Sequence, residues 1–191
     1  LLPYLGDASA AVREEGVATC AAVTAKAIAA MDVPGGVAVP VPATAYSTHG
    51  AQLVAEAVRR LAAAAVSDRA PRIRKRVLLL LAPAFDAFLV QQDTLRVLLG
   101  ALGDERVKNR ARALTVAGRL ARRNPAYVLP ALRRLLVELC DGLAYGSGRV
   151  KEDSAVLLGH LVRVCGDLVT PYVDPVLQAL LPKLQPAAGS T

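Results

Sequence analysis

The residues best placed to do chemistry lie in the stretch AYGSGRVKEDSAVLLGHL, from Ala144 to Leu161. Gly146 and Gly148 precede Arg149 and Lys151, and an apolar run at helical spacing follows. Backbone amides at a helix N-terminus beside a cation are what a phosphate needs, so a nucleotide site is the first reading to weigh. The spacing is not G-x-x-x-x-G-K-S/T, and no strand pattern leads into it. Ser147 and Ser154 have no partnered His or Asp to activate them as nucleophiles. Glu14–Glu15 and Glu152–Asp153 are adjacent pairs, and i, i+1 neighbours on a helix do not face one another. They read as solvated first-turn acids rather than as an acid–base pair. His160 is a lone helix histidine, expected to face solvent or a hydrogen-bond partner rather than a ligand. Cys20, Cys140 and Cys165 form an odd set with no C-x-x-C spacing, and His49 and His160 are the only histidines. No zinc-type ligand set emerges, so the thiols read as small core residues of a reduced, intracellular protein. The sequence assigns no catalytic, cofactor-binding or metal residue.

The elements that must carry these residues are helical. The chain has 191 residues, 54% apolar but only 4% aromatic, with no Trp, a mix suited to closely packed helices. A net charge of +7 and a pI near 9.7 permit an acidic partner, nucleic acid or an anionic membrane without requiring one. The longest apolar run, VLLLLAPAFDAFLV, contains Pro83 and Asp86 and is too short and too polar to span a bilayer. No signal-peptide pattern is present, and the opening LLPYL reads as the interior of a longer chain.

A repeat runs through the sequence. DASAAVR (7–13), DRAPRIR (68–74) and DERVKNR (104–110) each hold Asp, five residues, then Arg. The columns are Asp7, Asp68 and Asp104, then Arg13, Arg74 and Arg110. YGSGRVK (145–151) fits beneath, with Lys151 in the cation column and Tyr145 in place of the Asp. Just before the cation stand Val12, Ile73, Asn109 and Val150, with Asn109 the departure. Four residues beyond it lie Val17, Leu78, Leu114 and Ala155, and eight beyond lie the small residues Ala21, Ala82, Gly118 and Gly159. Those spacings share one helix face, so both columns are expected to point inward. The Asp is expected to cap its helix and to pair with the Arg of an adjacent repeat, leaving Arg74 and Arg110 partly buried against carboxylates. A second phrase, Y-V-x-P-x-L-x-x-L-L, occurs in 125–136 and 171–181. Asn124 and Thr170 are expected N-caps ahead of N1 prolines, and Pro130 and Pro175 are expected to kink or restart their helices.

These spacings predict helices near 8–30, 50–66, 70–86, 91–102, 105–122, 125–143, 149–165 and 171–184. The fold class is all-α, an α-solenoid of antiparallel hairpins in an armadillo-like superhelix. The expected division is a partial HEAT repeat at 1–30, a Pro/Gly-rich loop at 31–49, and HEAT repeats at 50–87, 88–123 and 124–166. The first helix of a further repeat plus a tail occupies 167–191.

RNPAYVLPALRRLLVEL, GRVKEDSAVLLGHLVR and LVTPYVDPVLQALLPKL resemble the N-terminal HEAT-repeat region of the target of rapamycin kinases. These belong to the phosphatidylinositol-kinase-related kinases. The match covers about 67–184; the first 66 residues match only as generic HEAT. The resemblance implies a scaffold segment of a large cytoplasmic serine/threonine kinase in nutrient and growth signalling. Its solenoid helps bind the substrate-recruiting subunit called raptor and supports dimer assembly. No contact residue follows from that, so the partner-binding residues stay unknown. The kinase motifs are absent from the chain, so it is not expected to be an enzyme, nor to take a cofactor or a small-molecule substrate. The cluster Arg69, Arg72, Arg74, Lys75 and Arg76 contains no aromatic residue for base stacking and reads as the polar start of a helix. Nucleic acid is therefore not the expected partner. The alternatives are a basic HEAT array gripping phosphate backbones, and an unrelated HEAT adaptor such as a phosphatase scaffold or import receptor.

Overall fold

The structure, a computed structural model, describes residues 2–31 and 49–184, and these are all-α. The expected loop lies outside the described residues except at its ends, where Met31 closes one helix and His49 opens the next. No helix among the described residues is long and apolar enough to cross a membrane. The chain falls into two compact units, Leu1–Val128 and Leu129–Thr191.

The first unit begins with a 3-10 turn, Leu2–Gly6, and continues through α1 (Ala10–Ala30), α2 (His49–Ser67) and α3 (Pro71–Leu80). A 3-10 turn at Pro83–Phe85 leads to α4 (Asp86–Leu89), α5 (Gln92–Leu99), a further 3-10 turn at Gly100–Gly103, and α6 (Val107–Ala121). α1, α3 and α6 pack side by side in one layer, and α2 and α5 form a second layer against them. The sequence dictates this locally. α2 buries Val54, Val58, Leu61, Ala62 and Ala65, a three-and-four spacing that gives one apolar stripe. Ile73, Leu81, Leu89, Leu95, Leu114 and Leu120 are fully buried in the same unit.

Two expected helices are shorter than the sequence suggests. The helix expected over 70–86 ends at Leu80. Pro83 has no amide to continue the ladder and holds Ala82 extended, at φ −69° and ψ 167°. The helix expected over 91–102 stops at Leu99 and tightens into the 3-10 turn between Gly100 and Gly103.

α7 (Pro125–Tyr145) begins in the first unit, and the division falls in its first turn. The second unit continues with α8 (Gly148–Val164), α9 (Gly166–Val169), a 3-10 turn at Thr170–Tyr172 and α10 (Val173–Leu184). Leu132, Leu136, Leu139 and Leu143 of α7 are buried at helical spacing, as are Leu157, Leu158 and Leu161 of α8. Pro130 does not restart its helix; α7 runs uninterrupted through it. Pro175 falls in the first turn of α10, where a missing amide costs no intrahelical bond.

Candidate functional site

Three turns of the first unit share one hydrogen-bond pattern. At each, the Asp carboxylate accepts the amide two residues on. Ser9 N donates to Asp7 Oδ1 at 2.7 Å, Ala70 N to Asp68 Oδ1 at 2.8 Å and Arg106 N to Asp104 Oδ1 at 2.8 Å. Ser9, Ala70 and Arg106 are the N-cap residues of α1, α3 and α6. Each Asp therefore stands two residues ahead of the cap and fixes the entry turn, instead of capping the helix itself as the sequence suggests. The Arg six residues on turns back to the same Asp. Arg13 Nη1 donates to the Asp7 carbonyl at 2.8 Å, Arg74 Nη1 to that of Asp68 at 2.7 Å and Arg110 Nη1 to that of Asp104 at 3.0 Å.

The other edge of the guanidinium reaches the next turn. Arg13 Nε and Nη2 donate to Asp68 Oδ2 and Oδ1 at 2.8 and 3.1 Å. Arg74 Nε and Nη2 donate to Asp104 Oδ2 and Oδ1 at 2.6 and 3.1 Å. Each is a two-pronged pairing that a planar guanidinium makes and an ammonium cannot. The result is a two-rung ladder in which Arg13 and Arg74 each join their own turn to the following one. Arg13 and Arg74 are 6% and 8% exposed, so the rungs are largely dry. Asn109 closes the second rung, its Nδ2 donating to Asp104 Oδ2 at 3.2 Å and to the Pro71 carbonyl at 3.1 Å.

Burial pushes the Asp68 carboxyl up, but the Arg13 hydrogen bond, the Ala70 amide and the Arg13 charge outweigh it, leaving it below the ordinary range. Asp104 is held low in the same way, by Arg74, the Arg106 amide and Asn109 acting against burial. The hydrogen bond to Asp68 raises Arg13, and that to Asp104 raises Arg74. Partners held charged in this way favour ion pairing, and the arrangement holds successive turns together. A cavity of about 420 Å³ opens beside the second rung, lined by Val66, Arg69, Arg74, Gly100, Asp104 and Glu105 among others. Its Arg74, Asp104 and Glu105 are already engaged with one another.

A second network pins the far ends of α3 and α6. Arg119 Nε donates to Asp86 Oδ1 and Oδ2 at 2.8 and 2.9 Å, and its Nη2 donates to the Leu81 carbonyl at 2.8 Å. Arg123 approaches the same carboxylate at 3.7 Å. Here burial prevails over both arginines and raises the Asp86 carboxyl above its ordinary range. The Leu81 carbonyl that Arg119 takes up belongs to the broken end of α3.

No family model matches the chain. It is 38% identical over 189 residues to Serine/threonine-protein kinase TOR of Arabidopsis thaliana, 97% of this chain but 8% of that protein. Over 135 residues it is 43% identical to Serine/threonine-protein kinase TOR of Oryza sativa subsp. japonica, 69% of this chain and 6% of the relative. Against Serine/threonine-protein kinase TOR2 of Saccharomyces cerevisiae it is 39% identical over 145 residues, 75% of this chain and 6% of the relative. The chain is homologous to a segment of the target of rapamycin kinases. It spans less than a tenth of the length of these TOR relatives.

Within this TOR segment, the residues singled out from sequence fall unevenly. Asp7, Arg13, Asp68, Arg74 and Asp104 meet in the ladder, and Arg110, half-buried, takes its place on the Asp104 carbonyl. Val17, Leu78 and Leu114 are buried, but Ala155 is exposed. Of the small column, Ala21 and Gly118 are buried and Gly159 is half-buried. Ala82 is exposed, because the helix that should have turned it inward has already ended. In α8 the inward face is Ser154, Leu157, Leu158 and Leu161, displaced by one position from the expected column. Lys151 is half-buried, and Tyr145, in the Asp column, is 86% exposed. The glycines of the opening stretch answer to packing. A Cβ at Gly146 would strike the Gly142 carbonyl and lie 2.8 Å from Val150 Cγ1, and Gly148 has φ +40°, where other residues are strained.

Asn124 stands at the N-cap position directly before Pro125, the first residue of α7, and its carbonyl accepts the Val128 amide at 3.2 Å. Its Nδ2 donates to the Val90 carbonyl at 3.2 Å, tying the start of α7 to the end of α4. Thr170 is not the expected cap but the first residue of the 3-10 turn. Thr170 Oγ1 donates back to the Gly166 carbonyl at 3.2 Å. Sequence reasoning missed the pairing of Asp86 with Arg119 and the bond from Asn124 to Val90 because these partners lie about one repeat apart. The one available signal was a charged residue inside an apolar run. Cys20 and Cys165 are buried and Cys140 half-buried, and burial raises the Cys20 and Cys140 thiols.

Proposed function

We propose that this segment is a non-catalytic HEAT-type scaffold of a target of rapamycin kinase, drawn from its N-terminal solenoid. It presents helical faces on which a raptor-type, substrate-recruiting subunit assembles and which support dimer formation. The observation that carries the reading is the ladder. Its Asp–Arg rungs join successive helical turns into a stack, within a chain homologous along 97% of its length to a TOR kinase. Buried polar chemistry is spent on holding neighbours in register, which is what a rigid binding platform needs.

The test is an internal deletion of this segment from the full-length kinase. Co-purification of the raptor-type subunit and phosphorylation of a short generic peptide are measured side by side. The scaffold reading expects assembly to be lost while peptide phosphorylation persists. Intact assembly with abolished peptide phosphorylation would overturn it.

A further inference from the structure

α3 and α6 lie side by side and run in the same direction. Arg74, early in α3, meets Asp104 just before α6, and Arg119, late in α6, meets Asp86 just after α3. Their inward faces serve the core and the ladder. Outward, α3 exposes Arg72 and Arg76, two residues either side of the ladder arginine Arg74, with Lys75 half-exposed. α6 exposes Lys108 and Arg112 at the same two positions about Arg110. Two residues along a helix is a rotation of about 200°, so a ladder arginine that points inward turns these positions outward. Neither helix contains an acidic or an aromatic residue. Among the described residues Lys75, Arg76, Lys108 and Arg112 have no carboxylate partner, and Arg72 reaches only Glu14, at 3.5 Å.

We propose that this face of α3 and α6 docks an acidic protein segment in extended conformation. The proposal deepens the scaffold reading and rests on it. Arg72 and Arg76 stand about 6 Å apart along the helix axis, and the second row runs about 8–10 Å away. Alternate residues of an extended peptide repeat about every 6.6 Å on one side. Carboxylates at i and i+2 therefore match the cations of one row. Leu79, exposed one turn beyond Arg76, offers an apolar contact that such a segment can use.

The flanks favour a peptide over a nucleic acid or a bilayer. On the far side of α3, α1 carries Glu14 and Glu15 at the positions equivalent to Lys75 and Arg76. On the α1 side the positive surface thus ends at carboxylates. A phosphate backbone or a charged membrane plane spreading beyond it meets like charge. Base stacking has no aromatic platform on either helix.

The experiment is fluorescence anisotropy on the full 191-residue chain. The probe is a fluorescein-labelled peptide of alternating Glu and Ser ending in Leu, compared with its Gln-for-Glu counterpart, a duplex DNA and phosphatidylserine vesicles. The Glu peptide is expected to bind in preference to all three. The double variant Arg76→Glu/Arg112→Glu is expected to weaken it at least about tenfold. Arg133→Glu/Arg134→Glu makes the same charge change at exposed positions of α7 and is expected to weaken it less than about threefold. Should the first variant fail to fold, Arg76→Gln/Arg112→Gln replaces it, with an expected loss of about threefold. Equal losses from both pairs, no binding of the Glu peptide, or preference for DNA or vesicles would each overturn the proposal. The deletion experiment tests the scaffold reading separately, and that reading survives any of these results.

Discussion

Replacing Asp104 tests the ladder at its most connected point. Its carboxylate takes two hydrogen bonds from Arg74, one from Asn109 and one from the Arg106 amide. Asp104→Ala removes all four at once. It leaves Arg74, 8% exposed, facing an apolar methyl where two hydrogen bonds were, with only the Asp68 carbonyl and the exposed Glu105 carboxylate as remaining partners. At a separation near 4 Å and an effective dielectric of about 20, the lost attraction is worth about 4 kcal/mol. Desolvation of both charges offsets much of that in the intact pair, so the pair itself adds little net stability. Once one partner is gone, the other keeps its desolvation cost without the attraction, and the expected loss is about 3–5 kcal/mol. Arg74→Met with Asp104→Leu removes both charges together, and its expected cost is about 1 kcal/mol or less. Urea titration followed by far-ultraviolet circular dichroism reads the difference. With a slope of about 1–3 kcal/mol per molar urea, the single variant shifts the midpoint by about 1 M or more. If Asp104→Ala and the double replacement unfold within about 0.5 kcal/mol of each other, the rung is solvated and the reasoning fails.

Acid titration separates the two kinds of buried carboxylate. Asp68 and Asp104 have depressed pKa values, so their contribution is present above the unfolded-state pKa and is lost as pH falls through the folded one, below about pH 4. Asp86 is raised, so it favours the folded state at low pH, and that contribution fades as pH rises through its folded pKa. Asp104→Asn is therefore expected to flatten the acid limb of the stability profile and Asp86→Asn to steepen it, both read as urea midpoints across the acid range. Gly148→Ala places a side chain at φ +40° and is expected to cost about 1–2 kcal/mol in thermal unfolding, with Gly148→Asn less damaging. Gly142→Ala puts a methyl into Ser154 Oγ, and the companion change Ser154→Ala is expected to recover part of the lost melting temperature.

What the sequence revealed of this arrangement depended on how far apart the interacting residues lie. Asp and Arg six residues apart make a turn whose partners are local, so Asp7–Arg13, Asp68–Arg74 and Asp104–Arg110 were visible as a pattern before any packing was known. Asn109 looked like an interruption of an apolar column. Its role was hidden because the Pro71 carbonyl it binds lies 38 residues away. Asp86 broke an apolar run, and nothing nearby pointed to Arg119, 33 residues on. The end of α3 shows a different limitation. Pro83 was in view, but the apolar run VLLLLAPAF carries its helical spacing across the break, so periodicity masked the stop. In α8 the column slipped by one because Gly142 receives Ser154, a close approach that composition does not reveal.

The ladder and the cationic face follow from a single periodicity, yet they are separable. Arg13 and Arg74 of the cation column point inward, and each is held by two turns at once. Positions two residues to either side point outward and touch neither rung. α1 shows the separation within the same protein: it keeps Arg13 and its pairing with Asp68, but has Ala11 and Glu15 where α3 has Arg72 and Arg76. Fold and surface charge can therefore change independently from one rung to the next. It follows that Arg76→Glu/Arg112→Glu leaves the unfolding free energy within about 0.5 kcal/mol, as is usual for exposed positions outside any network. If the pair instead loses several kcal/mol on urea titration, the outward cations belong to the network that holds the stack. The face then has a structural duty that forbids reading it as a surface free to take a partner.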